Sequence, residues 1–390
     1  MSLLRCVNYS LLAITTPNDL KMRVDKRRHP WHHLGYRINL SAMAQTTLAT
    51  RPLVSVVTPF YNTAPYLAEC IESVLAQSYS HFEYILMDNC STDGSADIAE
   101  TYAQRDPRIR LIRCTQFLSQ LANYNRALAE ICDASLYCKM VEADNYIFPD
   151  CLDLMVRAFE RSESIGLVSS YCLNGDKLEG SGYPYPMPML LGKEWAKQYL
   201  RGAPHVFGSA TTVMYRSSVV RRKQPFFREP APHSDTEKCL EILEHWDFGF
   251  VHQVLSFLRT DNESISSGFR AFEPYFLDHY IVVQRYAPIF LEATEAASLK
   301  RKWRRVYYCV LANQAIRLRS RAFWRHHRDG LRTLGERINW AYLVMLIGRR
   351  LLWLASNPGM TTVQTLRSWK RIATVEKTDR KLTVSHTTTP

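Results

Sequence analysis

From Arg51 onward the chain alternates between two hydrophobic periods. "LVSVVTPF" gathers β-branched residues into a short run that ends in Thr-Pro, the pattern of a buried strand. "APYLAECIESVLAQS" then sets Leu67, Cys70, Ile71, Val74 and Leu75 at helical spacing. "FEYILMD" predicts a second strand, which runs into the turn cluster "NCSTDGS" and the helix "SADIAETYAQR". "RIRLIRC" is a third strand, "SQLANYNRALAEI" a helix, and "SLYCKMV" a fourth strand. In "FPDCLDLMVRAFERS" the proline stands near the helix start, where a missing N–H costs little. "GLVSSYCL" makes a fifth strand. Strand followed by helix, repeated in this way, predicts an α/β fold with a mostly parallel sheet covered on both faces.

Beyond about residue 173 the alternation loosens. A Gly/Pro/Tyr-rich loop leads to a short helix at "WAKQYLRG", a strand at "SATTVMYR", a helix at "SDTEKCLEILEHW" and a strand at "FGFVHQVLSFLR". The remainder to about Arg371 reads as successive basic helices. The expected organisation is an N-terminal extension over 1–50, an α/β domain over 51–270, and a basic helical region with a polar tail over 271–390.

Charge sharpens this division. The net charge of +12 splits into +5 over residues 1–50, −9 over 51–299 and +16 over 300–390. A mildly acidic middle flanked by basic ends points to an anionic partner at the ends. Within 300–355, arginines interleave with Trp303, Tyr307, Tyr308, Phe323 and Trp324, and "INWAYLVMLIGRRLLWLA" adds an apolar body. That combination suits an anionic membrane surface; a packed helical subdomain with a solvated basic face is the plainer alternative. No nucleic-acid recognition motif accompanies the arginines, so a nucleic-acid partner is not expected.

No apolar run approaches the roughly 20 residues that a membrane-spanning helix needs. The ten cysteines form no CxxC pair and sit within apolar patterns, as thiols of a reducing compartment do. The expectation is therefore a cytoplasmic protein, peripheral at the inner face of the membrane. Residues 1–50 contain the basic run "KMRVDKRRHPWHH" and no continuous apolar core of a signal peptide. They read as a disordered arm, a transit-like leader, or sequence upstream of a start at Met43.

In sheets of this kind, ligands bind beyond the carboxyl ends of the strands. Three predicted strands end there in polar clusters: "TPFYN", "DNCSTDGS" and "EADN". Neither GxGxxG nor GxxxxGK[ST] occurs, so the site has acids and an aromatic where a glycine cradle would be. Acids do not hold phosphates directly, but they can hold a divalent cation, Mn²⁺ or Mg²⁺, that does.

Taken in order, "VSVVTPFYN", "ILMDNCSTDGS", "ANYNRAL", "VEADN" and "HSDTE" resemble a glycosyltransferase of family 2 with the GT-A fold, over about Pro52 to Gly268. The resemblance implies a nucleoside-diphosphate-sugar site. Thr58, Pro59 and Tyr61 would border the base, and Asp88 would accept from its ring N–H, most often that of uracil. Ser91 and Asp93 would hold the adjoining loop. Asn125 falls on the family's asparagine in the third helix, Glu142 would lie near the ribose, and Asp144 would bind the cation. Asp235 aligns with the acid used as catalytic base. "RTDNESIS" resembles a closing loop whose Arg259 would approach the diphosphate.

Three positions depart from the family pattern. Glu142 replaces the usual Asp, Tyr124 stands where many relatives have Arg, and Ser234 replaces a common Glu. The resemblance implies a metal-dependent, inverting glycosyltransferase that uses a UDP-sugar and a glycan or lipid-linked acceptor in polysaccharide or glycoconjugate synthesis. The rivals are a non-catalytic relative that binds nucleotide-sugar or glycan, with the departures as signs of decay, and a sugar nucleotidyltransferase. The latter usually carries a Gly-rich basic loop after the first strand, which "TPFYNTAPY" lacks.

Overall fold

The computed structural model describes residues 51–229, 234–260, 274–317 and 319–357. The N-terminal extension, Met43 and most of "RTDNESIS" lie outside the described residues. β1 (Val54–Phe60), β2 (Phe82–Asp88), β3 (Ile109–Arg113) and β4 (Tyr137–Met140) lie side by side in parallel, in the order β3-β2-β1-β4. Next to β4 comes β9 (Met214–Arg216), which is antiparallel to both its neighbours. β6 (Ile165–Asn174) and β10 (Asp247–Leu258) then pair in parallel, and β5 (Tyr146–Ile147) closes that edge. The short β7 (Lys177–Glu179) and β8 (Met189–Leu190) hang off β6 and β10.

The strand predicted over "SATTVMYR" is confined to Met214–Arg216. Residues 209–212 form turns instead, and the buried Lys139 ammonium donates to the Thr211 carbonyl and, at 3.3 Å, to that of Val213. Those carbonyls thus bond to a side chain rather than to a strand neighbour.

Side chains along the central strands alternate between two buried faces. Val54, Val56, Tyr84 and Leu86 face one core with α1 (Ala64–Leu75), while Val57, Ile85 and Met87 face a second core. A sheet apolar on both faces must be covered on both. α2 (Ser95–Arg105) and α4 (Cys151–Phe159) join α1 on the first face. α3 (Gln120–Ala129), α5 (Gly192–Arg201), α6 (Ser217–Arg222) and α7 (Ser234–Leu243) cover the second. In α1 the helical spacing is realised, with Leu67, Cys70, Ile71 and Val74 buried.

The helical region comprises α8 (Pro274–Phe290), α9 (Ala293–Ile316), α10 (Arg321–Arg332) and α11 (Trp340–Ser356). α8 belongs to two cores at once. Val282, Val283 and Tyr286 pack into the sheet's second core, and Leu277, Tyr280 and Ile281 into a separate helical cluster. A part-buried ion pair also ties α8 to α7, with Arg285 Nη1 2.7 Å from Glu237. The boundary expected at residue 270 falls outside the described residues.

Candidate active site

The ends of β1, β2 and β4 converge on one side of the sheet, and two tight turns shape the rim. Asn62 (φ 49°) and Cys90 (φ 64°) both adopt left-handed backbone, which Asn tolerates and Cys rarely does. The turns are tied together. Asn62 Oδ1 accepts from Thr92 N–H at 2.8 Å, and Ser91 Oγ accepts from Asn62 N–H at 3.1 Å. Asp93 bridges the two loops, accepting from Ala64 N–H at 2.9 Å, Ser95 N–H at 3.0 Å and Ser95 Oγ at 2.6 Å. Desolvation alone would raise its carboxyl; the Ser95 and Ala64 hydrogen bonds outweigh it and lower the pKa.

Tyr61 projects from this rim, 43% exposed, with its ring centroid 4.8 Å from that of Phe117, which is 63% exposed. An exposed aromatic pair at a strand end offers a stacking face for a planar ligand. Phe117 escaped the sequence reading because its loop carries no motif. The clue to its placement is Asn89, whose amide brackets Leu118, accepting from its N–H at 2.8 Å and donating to its carbonyl at 2.9 Å. Asp88 lies buried beneath, its Oδ1 accepting from Ser91 N–H at 3.0 Å.

Pro59 is buried in β1, and Thr58 turns inward. The Thr58 hydroxyl lies 3.0 Å from the Tyr84 hydroxyl in the core, so its side chain does not border the cleft as expected. β1 is buried on both faces, and its alternation sends Thr58 under α1, beside Cys70. Asn125 likewise departs from its expected donor contact. Its Oδ1 accepts from Phe227 N–H at 2.7 Å, and its Nδ2 donates to the Phe227 carbonyl at 2.9 Å. It therefore clamps the chain that leads to α7, and Glu229 reinforces the clamp by accepting from Ser119 Oγ at 3.0 Å.

The two departures at Glu142 and Tyr124 form one contact. Glu142 Oε1 accepts from the Tyr124 hydroxyl at 2.9 Å. Its Oε2 accepts from Thr211 Oγ1 at 3.1 Å and from Asn145 Nδ2 at 3.2 Å. Burial, then the charge of Asp144, raise the Glu142 carboxyl above its ordinary value, and Asp235 adds to the same field. Burial, then Glu142, push the Tyr124 hydroxyl well up, so that it remains a donor. The longer carboxylate thus reaches a neutral tyrosine where the shorter Asp and an Arg are usual. Decay would leave such changes uncompensated; here each satisfies the other.

Asp144 is half-buried at the end of the same turn. Arg259 is held beside it, donating Nε–H to the Asp144 carbonyl at 3.0 Å and pairing through its guanidinium with Glu69. The guanidinium also lies 4.7 Å from the Tyr66 ring centroid. Asp235 occupies the first turn of α7, partly exposed. Its charge adds, after burial and the charge of Asp144, to the raising of the Glu142 carboxyl. Ser234, the third departure, is buried behind it.

The donor set fits a divalent cation of the Mn²⁺ or Mg²⁺ kind. Glu142 has its oxygens engaged by three side chains, and Asp144, two residues on, is the second carboxylate at that strand end. Such ions are commonly held by one or two carboxylates and completed by water and substrate phosphates. Among the described residues no group of three His, Cys, Asp or Glu side chains forms a protein-only cage.

The model of the glycosyl transferase family 2 matches residues 55–226, which include every strand end described here apart from that of β10. The putative glycosyltransferase EpsE of Bacillus subtilis is 30% identical over 240 residues, spanning 60% of this chain and 81% of EpsE. The chain belongs to glycosyl transferase family 2. Other relatives are matched over less than half of their own length. Glycosyltransferase GlyG of Streptococcus pneumoniae is 30% identical over 135 residues, 34% of this chain and 43% of GlyG. The chondroitin synthase of Escherichia coli is 28% identical over 144 residues, 36% of this chain and 21% of the synthase. The structure of S. aureus TarS 1-349 in complex with UDP-GlcNAc superposes with a TM-score of 0.52 at 15% identity, covering 71% of this chain and 80% of that one. At that identity the likeness concerns the fold, which is the GT-A arrangement expected from the motifs.

Proposed function

We propose that this protein is a metal-dependent, inverting glycosyltransferase that moves a sugar from a UDP-sugar to a hydroxyl of a glycan or lipid-linked acceptor in polysaccharide or glycoconjugate synthesis. The observation that carries the reading is the acidic turn at the end of β4, where Glu142 is held by Tyr124, Thr211 and Asn145 beside Asp144, together with the exposed Tyr61–Phe117 pair at the end of β1. A buried carboxylate with a second carboxylate in its field is costly unless positive charge is expected beside it.

Tyr61 and Phe117 receive the base, and Asp88 accepts its ring N–H. Glu142, fixed by Tyr124, Thr211 and Asn145, sets the ribose. Asp144 would hold the divalent cation, which when bound neutralises the diphosphate. Arg259 adds a fixed positive charge alongside. Asp235 removes the acceptor hydroxyl's proton as that oxygen bonds to the anomeric carbon. The bond to the diphosphate breaks on the opposite face, so the configuration inverts and the nucleoside diphosphate leaves with the electron pair. The acceptor is reached at the inner face of a membrane, with which this cytoplasmic enzyme associates peripherally. The nine described cysteines, all free, agree with a reducing compartment.

The test is Asp235→Asn, assayed for sugar transfer and, separately, for UDP binding. Lost transfer with binding retained supports the assignment of the base. Unchanged transfer would remove Asp235 from the chemistry.

A further inference from the structure

α11 presents to solvent an apolar face that the fold leaves uncovered. Its inner side packs on the helical cluster through Leu343, 1% exposed, and through Tyr342, whose ring lies 5.2 Å from that of Tyr308 on α9. Its outer side carries Trp340, Val344, Met345, Leu351 and Leu352, each between 46% and 69% exposed. Thirteen large hydrophobics are exposed among the described residues, and these five fall on one 17-residue helix. At 100° per residue they share one flank with only alanine and glycine between them, bordered by Arg349.

The amino end of this stripe meets concentrated positive charge. Arg328, Arg332 and Arg337 line, with Trp340, a cavity of about 700 Å³. A second cavity of about 610 Å³, lined by Lys300, Arg301 and Arg304, shares Glu336 with it. Residues 300–350 hold 14 basic and 2 acidic side chains, so the arginines cannot all be neutralised within the region.

We propose that α11 docks the protein on an anionic lipid bilayer. The helix lies in the interface plane, its apolar stripe in the acyl boundary, while Arg328, Arg332 and Arg337 meet lipid phosphates. No described helix is long and apolar enough to cross a membrane, so α11 lies on the surface. Charge complementarity selects this occupant: a soluble apolar partner would match the stripe and leave the arginine-lined cavity unanswered. The inference deepens the peripheral association proposed above and rests on it for its place in function, but its residues are remote from the cleft in sequence.

The experiment is vesicle flotation of the full chain with phosphatidylcholine alone and with added phosphatidylglycerol. The wild type should float with the anionic vesicles and far less with the neutral ones. Affinity should fall roughly fivefold for each arginine removed in Arg328→Ala and Arg332→Ala. Val344→Glu combined with Leu351→Glu should abolish flotation. These positions are exposed, so an unchanged melting temperature and unchanged UDP titration would show that the fold and cleft survive. Three results would overturn the proposal. One is failure of the wild type to float. A second is binding that is indifferent to both sets of substitutions. The third is a concentration-dependent dimer dispersed by Val344→Glu, which would give the stripe to a second copy of the chain. UDP binding is read separately, so failure here leaves the cleft assignment standing, and the reverse also holds.

Discussion

In the strand-end cleft Glu142 takes hydrogen bonds from three side chains, while in the helical region Arg328 and Arg332 share one surface carboxylate, Asp329, at 3.7 and 3.0 Å. The cleft fixes its polar groups in direction, as Asn125, Asp93 and Arg259 also show. Arg328, Arg332 and Asp329 stand in solvent, where a surface ion pair contributes about 0–1 kcal/mol. The first arrangement suits one ligand in one pose. The second suits a diffuse anionic surface, for which geometry matters less than density of charge. Both live in one chain because α8 packs into the sheet's second core and the helical cluster together.

The sharpest break between the regions should come from Asp235→Asn. Loss of a general base costs about 10²–10⁴-fold in rate, and steady-state transfer assays should show it while the melting temperature stays put. A fall in stability with no fall in rate would make Asp235 a helix-terminus residue only.

Next in size is Asn125→Ala. It removes two hydrogen bonds that hold the Phe227 backbone and leaves that buried N–H without its partner, at a cost of about 1–3 kcal/mol. Denaturant unfolding should register the loss. Transfer should fall as well, because the clamp fixes the chain that leads to Asp235. A variant of wild-type stability would show that the clamp is dispensable.

Tyr124→Phe removes one donor from the Glu142 carboxylate and should cost about 1–3 kcal/mol. Arg328→Ala, by contrast, should stay within about 0.5 kcal/mol of wild type, as surface substitutions do. Equal effects at the two positions would erase the difference between the enclosed and the open charges.

The smallest effect is one of pH. Burial, then Asp144, raise the Glu142 carboxyl, so the folded protein keeps a proton there after the unfolded chain has released it. The cost of ionising Glu142 therefore enters as pH rises from the unfolded value through the folded one, and is complete above it. The stability of Glu142→Gln relative to wild type should accordingly improve from acid toward neutral pH. A difference flat with pH would place the ionisation elsewhere.

How much of this was legible in the sequence depends on the separation of the partners. The strands and helices follow local periods of two and 3.6, so β1, α1 and β2 stand close to where the pattern puts them. Asp88 and Asp144 sit at strand ends, and strand ends could be read. The pairing of Tyr124 with Glu142 spans 18 residues and that of Thr211 with Glu142 spans 69, and no local pattern encodes either. Two apparent defects were in fact partners. Thr58 misled because a motif position says nothing of which face of a doubly buried strand its side chain takes. Asn125 misled because a clamp on Phe227, 102 residues away, has the same local spelling as a ligand contact. Lys139 was visible as a lysine inside an apolar strand, and its hold on the Thr211 and Val213 carbonyls is what such a residue signals when it is buried.

The proposed function has the acids of the cleft await a nucleoside diphosphate and a cation together. Calorimetric titration of the full chain with UDP, GDP and TDP, with and without Mn²⁺, beside Asp144→Ala, tests it most directly. The expected result is Mn²⁺-dependent binding of UDP in preference to the other two, lost in Asp144→Ala. Binding of none of the three, or UDP binding indifferent to both Mn²⁺ and Asp144, would contradict it.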